Sequence, residues 1–340
     1  MYKKIVFIAT IILNLSSVYA NGVFDTHSHF IPKDYVKFLK DNNAELQETF
    51  PLPNWTLMEH INFTKKLGIG YSLLSLPAPQ PYFSGSEKAS IDLIHKLNQQ
   101  MAKIRNKYPD KIKFLATVPL PNVDKAIEEA IYALDVLKAD GIKLASNSYG
   151  QYVGDKELDK FMKVLNDRNA IVFIHPHRPE PYSQQIIETT PLAMYEYPAE
   201  TTRTVVNMIS RNILARYPNI KVIVPHCGSF LPLAIARMKA IFPAMKAKGL
   251  MNDIDWDKNL SSLYYDLAGQ PTADIIKTML KITTIDHIFY GSDYPYQPTE
   301  VLKRNLENLK NDLQNDKALA PYTDDILYKN AEKVFKREKI

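Results

Sequence analysis

The chain has 340 residues, 46% of them hydrophobic and 23% charged, ordinary globular values that exclude disorder and low complexity. Its formal charge of +5 comes from 42 basic and 37 acidic residues interleaved along the chain, so no block is suited to nucleic acid. The single cysteine, Cys227, excludes intramolecular disulfides and cysteine-built zinc modules.

Tyr2-Lys3-Lys4, the apolar run Ile5 to Leu15 and the small-residue end Ser16-Ser17-Val18-Tyr19-Ala20 read as a signal peptide cleaved after Ala20. A retained anchor is the alternative, but the run falls short of the roughly 20 apolar residues that span a bilayer. Cleavage removes Lys3 and Lys4, taking the formal charge from +5 to +3, and implies a periplasmic or secreted product with no membrane attachment.

Beyond Ala20, short apolar runs predict eight strands: Val23-Phe24, Tyr71 to Leu76, Phe114 to Val118, Gly141 to Leu144, Ile171 to Ile174, Lys221 to Val224, Leu263 to Leu267 and Ile288 to Tyr290. Helix-period segments fall between them: Thr56 to Leu67, Ser86 to Tyr108, Val123 to Ala139, Asp155 to Asn169, Thr202 to Tyr217, Leu231 to Lys246 and Thr272 to Leu280. Eight βα units with apolar strands predict a parallel sheet covered by helices and closed into a (β/α)8 TIM barrel, with an open doubly wound sheet as the alternative. With no internal repeat and no Gly/Ser linker, residues 21–340 read as one domain. Its longest insertions are His29 to Trp55, after the first strand, and Pro176 to Thr201, after the fifth.

Histidines mark the chemistry. His27 and His29 stand i, i+2 at a strand end, so both imidazoles project from one face. His175 directly follows the fifth strand, His226 follows the sixth with only Pro225 between, and Asp293 follows the eighth. In a barrel these carboxyl ends converge on one mouth, which predicts a metal site. An isolated histidine near a strand is commonly structural; four at strand ends with an aspartate form a far more specific pattern. Imidazole and carboxylate suit Zn²⁺ and tolerate Mn²⁺ or Fe²⁺.

These residues carry a family resemblance. Asp25-Thr26-His27-Ser28-His29, Leu165 to Pro176, His226-Cys227-Gly228-Ser229-Phe230-Leu231-Pro232 and Gly291-Ser292-Asp293-Tyr294-Pro295 resemble the amidohydrolase superfamily, in its aminocarboxymuconate semialdehyde decarboxylase branch. Trp55 to Leu76, Tyr149 to His175 and Tyr265 to Pro298 are most similar to the 6-methylsalicylate decarboxylase type. The resemblance implies that His27, His29, His175 and Asp293 hold one metal per chain, usually zinc with manganese as the other choice. It implies His226 as the acid/base beside it. It also implies a homodimer in which Arg237 reaches the neighbouring subunit's site. Two departures stand out: no arginine precedes Arg105, although the semialdehyde decarboxylases hold a carboxylate with one after the first strand, and Cys227-Gly228 replaces the Gly-Gly of many relatives.

Other polar residues read more plainly. Cys227 is a small filler; His60 and His95 are packing or surface residues; His287 precedes the eighth strand, away from the mouth. His177 is either a substrate contact or a loop-packing residue, Lys143 an ordinary lysine in a polar network, and Arg203 an organiser of the insertion loop. The expected activity is non-oxidative decarboxylation of a small aromatic or enol-type carboxylic acid, salicylate-like, with His226 and Asp293 as catalytic residues and Arg237 and His177 at the substrate. Two versions fit: protonation of the carboxylate-bearing carbon, with Asp293 as the candidate acid poised by His226, or hydroxide addition initiated by His226. A metal-dependent hydrolase of a lactone, amide or ester is the alternative activity, and a noncatalytic metal-binding protein the third.

Overall fold

The computed structural model describes residues 22–182, 189–269 and 271–336; the expected signal segment lies outside them. Eight parallel strands form the barrel in chain order: β1 (Val23–His29), β2 (Ile69–Ser75), β3 (Ile112–Thr117), β4 (Gly141–Ala145), β5 (Ile171–His175), β6 (Lys221–Val224), β7 (Tyr264–Asp266) and β8 (Ile288–Phe289). Each pairs with its sequence neighbour. The seam between β8 and β1 closes through Thr26 N–H to Tyr290 O at 3.0 Å and a bridge between Ser28 and Tyr294. All eight predicted strands are present, and the barrel replaces the open-sheet alternative.

Alternation along the strands builds two cores. Phe24, Leu73, Leu115, Ile171, Phe173, Ile223 and Phe289 fill the barrel, and Tyr328 and Phe335 pack against them from the C-terminal segment. Outward residues such as Leu74, Ile142, Val172, Ile174 and Val222 lie in the larger core beneath the helices. The barrel is thus filled from below and opens at the carboxyl ends of the strands.

Helices α1 (Lys33–Asp41), α2 (Leu57–Leu67), α3 (Glu87–Lys107), α4 (Val123–Ile131), α5 (Asp159–Asn166), α6 (Glu196–Ser210), α7 (Ile213–Arg216), α8 (Leu231–Ala247), α9 (Trp256–Ser261), α10 (Ala273–Met279), α11 (Thr299–Asn315) and α12 (Asn330–Phe335) surround the sheet. Three differences from expectation have simple causes. Helix α6 begins six residues before the expected Thr202, because Pro198 sits in its first turn, where a missing N–H breaks no intrahelical bond. Helix α1 occupies the insertion after β1 and buries Tyr35 and Leu39. Helix α11, absent from the expected elements, buries Leu302, Leu306, Leu309 and Leu313 on one face, a 3.6-residue pattern. No helix among the described residues is long and apolar enough to cross a membrane.

Candidate active site

The site begins with a fault in β1. Its pairing with β2 advances from Asp25 to Ser28 while the partner advances only from Ser72 to Leu74, so one extra residue enters β1. Without that bulge, an inward Phe24 would turn His27 and His29 outward. With it, the imidazole of His27 stands over Phe173 in the barrel, ring centroids 5.0 Å apart, and His29 follows at 5.1 Å from His27. His175 continues the inward face of β5, with centroids 5.6 Å from His27 and 5.0 Å from His29.

Asp293 completes the group from the segment after β8. Its Oδ1 lies 3.0 Å from His29 Nε2 and 3.4 Å from His27 Nε2, and its Oδ2 lies 3.8 Å from His226 Nε2. Both Asp293 (φ 60°) and His226 (φ 55°) occupy left-handed backbone, a strained conformation for such residues that is held by the surrounding bonds. Asp25 supplies several of them: its carboxylate accepts Ser292 Oγ at 2.6 Å, Ser292 N–H at 2.9 Å and His27 N–H at 3.1 Å. Gly291 permits the close approach, since a Cβ there would stand 2.8 Å from that of His27.

Asp266, which sequence reasoning left inside an apolar strand, proves to be the organiser of this centre. It is fully buried; Oδ2 accepts from His27 Nδ1 at 2.9 Å, while Oδ1 accepts the N–H groups of His226 at 3.0 Å and Ala268 at 2.9 Å. The signal was present as a lone carboxylate within Leu263 to Leu267, two residues after Tyr264 on the same face of the strand.

Proton placement follows. His27 Nδ1 faces an acceptor-only carboxylate and His175 Nδ1 faces Pro176 O at 2.9 Å, so both carry hydrogen there and leave Nε2 as a lone-pair donor. His27 Nε2 is buried without a hydrogen-bond partner among the described residues. Ligand atoms of His27, His29 and His175 lie within 4.8 Å of one another, as do those of His27, His226 and Asp293. An orphaned imidazole nitrogen converging with further imidazoles and a carboxylate is the donor set a divalent ion requires, and these residues fit one. Burial opposes charge on His27, but Asp266, then Asp293 and Asp25, outweigh it and lift its pKa to about 9, so at neutral pH Nε2 also holds a proton that a metal ion must displace to reach the lone pair. Burial raises Asp293, yet the neighbouring His226, the hydrogen bond to His29 and the charge of His27 hold it well below the carboxylate range. Burial lowers His29, and lowers His175 further.

A cavity of about 430 Å³ opens onto this group, bounded by Phe50, Tyr197, Tyr296, Pro198, His226 and Asp293 among others. Its wall carries aromatic rings from both insertions, and among the described residues no lysine or arginine lines it. Phe50 stands 5.7 Å from Tyr296 and 6.4 Å from Tyr197, and Tyr296 lies edge-on to His29 at 5.3 Å. The volume suits a single substituted ring.

Of the predicted site residues, His27, His29, His175, His226 and Asp293 meet at this mouth, whereas Arg237 and His177 do not line its cavity. Arg237 is exposed on α8. His177 is buried and points at Glu48, its Nε2 3.2 Å from Oε1. Lys143 lies in the barrel, buried on β4; burial lowers its pKa to about 8, opposed by the charge of Glu48. Arg203 pairs with Glu200, a residue of the second insertion, at 3.1 Å. Cys227 makes no part of the ligand group, and burial pushes its thiol up to about 12. His60 is buried against Ser72 Oγ at 3.0 Å, His95 meets Glu129 at 2.8 Å, and His287 stacks on Tyr264 before β8.

Comparison with known proteins agrees with this geometry. The chain is 31% identical over 287 residues to a 6-methylsalicylic acid decarboxylase of Aspergillus aculeatus, across 82% of this chain and 86% of that one. It matches a crystal structure of an amidohydrolase II with a TM-score of 0.82 and 30% identity, covering 93% of this chain and all of the other. A 5-carboxyvanillate decarboxylase of Novosphingobium aromaticivorans, solved with manganese and 4-hydroxy-3-methoxy-5-nitrobenzoic acid, shares the fold with a TM-score of 0.79 at 20% identity, over 94% of this chain and 97% of that one. Residues 24–337 match the family model described as Amidohydrolase, and the chain belongs to the amidohydrolase family.

Proposed function

We propose that this protein is a metal-dependent decarboxylase that removes carbon dioxide from a small aromatic acid bearing a hydroxyl beside its carboxylate. The carrying observation is the cavity itself: an imidazole–carboxylate group at its floor, aromatic walls, and, among the described residues, no lysine or arginine to take a second acid group. Similarity to a 6-methylsalicylic acid decarboxylase supports the same substrate class. His27, His29, His175 and Asp293 would hold the ion. Zinc is the first choice for such donors, and manganese, present in the carboxyvanillate enzyme, is the second. When bound, the ion supplies a Lewis acid for the phenolate and carboxylate oxygens.

The protein's own groups supply the rest. Phe50, Tyr197 and Tyr296 confine the ring, which turns a bimolecular proton transfer into an oriented one. Asp293, held as an anion by its imidazole neighbours, would be a ligand, and its negative charge lies 3.8 Å from His226 Nε2. His226 then gives its proton to the ring carbon that bears the carboxylate. The carbon–carboxylate bond breaks, its electron pair restores the aromatic ring, and carbon dioxide leaves. Carbon dioxide release from a panel of hydroxybenzoates, run beside lactone, amide and ester hydrolysis, tests the reading. Hydrolysis without carbon dioxide release would replace it with the hydrolase alternative.

The working unit in this proposal is a homodimer. Helix α8 turns Leu233, 76% exposed, and Ile241 outward on an unusually apolar exposed face that also carries Arg237. Export completes the reading: the protein made in its own host should begin at Asn21 by mass spectrometry, and an intact Met1 end on a cytosolic product would reject it.

A further inference from the structure

The two insertions that wall the cavity meet at one buried carboxylate, Glu48, which is 2% exposed and takes no part in the metal group. It comes from the segment after β1. Its Oε2 accepts the phenol of Tyr197 at 2.8 Å and the N–H of Arg178 at 3.1 Å, and its Oε1 stands 3.2 Å from His177 Nε2. All three partners belong to the polypeptide after β5. The next residue, Thr49, ties the same two segments again, its Oγ1 accepting the Leu192 N–H at 3.1 Å. Phe50 and Tyr197, on the two sides of this junction, are both cavity walls.

A buried carboxylate is costly unless satisfied, so the two hydrogen bonds on Oε2, together with the ion-pair contact of Oε1 to His177, which is not a hydrogen bond, hold these partners in one arrangement. The apolar contacts beside it, Phe50 with Tyr197, Leu192 and Ala78, cannot fix a ring's position to the same precision, because apolar surfaces slide without breaking a directed bond. We propose that Glu48 is a positioning residue that clamps the two insertions together and so sets the width of the aromatic slot between Phe50 and Tyr197, and with it the choice among ring substituents. This inference rests on the proposed function for the identity of the ring, but the clamp itself does not.

The test uses the full-length mature protein with its metal and three variants: Glu48→Ala, Glu48→Gln and Tyr197→Phe. Hydrogen exchange is read at Arg178 and Leu192, together with metal content and KM and kcat for salicylate and 6-methylsalicylate. Glu48→Ala should speed exchange at both amides and raise KM roughly tenfold, with kcat within about threefold of the parent and metal content unchanged. It should also narrow the ratio of kcat/KM between the two acids. Glu48→Gln, which keeps an acceptor for Tyr197 and Arg178, should stay near the parent, and Tyr197→Phe should fall between. Unchanged exchange in Glu48→Ala, or in Tyr197→Phe should the alanine variant not fold, overturns the clamp. Faster exchange with kcat and metal content falling together, and no change in KM, overturns the assignment to the slot. If the parent releases no carbon dioxide from either acid, the functional reading falls, while exchange still decides the clamp.

Discussion

Replacing Asp266 with Asn tests the electrostatic logic of the centre by exchanging one oxygen for an NH₂. The Asn carbonyl can occupy the place of Oδ1 and keep the N–H groups of His226 and Ala268, at 3.0 and 2.9 Å. Its NH₂ must then face His27 Nδ1 across the 2.9 Å contact, where two donors would clash. His27 escapes by moving its proton to Nε2, the nitrogen turned toward Asp293 and the other imidazoles. That nitrogen ceases to be a lone-pair donor. Loss of such an orienting carboxylate typically costs 10- to 100-fold in metal affinity, or about 1.4 to 2.7 kcal/mol. Competition against a chromophoric chelator measures the affinity, and near-UV circular dichroism should remain native because both backbone bonds survive. The double variant His27→Ala with His29→Ala gives the metal-free reference. An Asp266→Asn protein that binds metal within twofold of the parent would refute the argument that Asp266 sets the His27 tautomer.

Other outcomes follow from single groups. His226→Gln should lower kcat by about 10² to 10⁴ while elemental analysis still finds the ion, since acid/base assistance is lost and three imidazoles with Asp293 remain; equal loss of metal would reassign His226 as a ligand. Burial holds His60 at about 3 against 6.5 for the free side chain. The unfolded chain therefore takes up a proton between these values that the folded chain refuses, and stability falls as pH drops below 6.5, by about 2 kcal/mol at pH 5. Urea unfolding of the parent and His60→Asn from pH 7 to 5 checks the slope, which should be shallower in the variant. For Arg237, mixing inactive Arg237→Ala and His226→Ala chains should restore part of the activity by subunit exchange, because hybrid dimers contain one complete site; verified hybrids without recovery would remove Arg237 from the site.

Much of the centre was legible because its residues sit at positions the fold makes predictable. His175 and Asp293 each follow an apolar run, and a barrel sends every such end to one mouth. Helix α11 was legible too, its buried leucines spaced at helical intervals. Asp266 was visible as a charged interruption in an apolar strand, yet its partner His27 is 239 residues away and no local pattern joins them.

Periodicity and chain order were enough for the alternating βα units and for four histidines and an aspartate at strand ends, whereas closure into a barrel rather than an open sheet rests on the contacts between β8 and β1. Tertiary structure alone decided which way the side chains turn. A strand pattern read outward from Phe24 places His27 on the wrong face, and only the bulge against β2 reverses that parity. It likewise decided that Glu48, on an insertion without strong periodicity, lies buried between Tyr197 and His177, while Arg237 lies exposed. Register slips and loop docking depend on contacts between residues distant in the chain, and those contacts exist only after the barrel has closed.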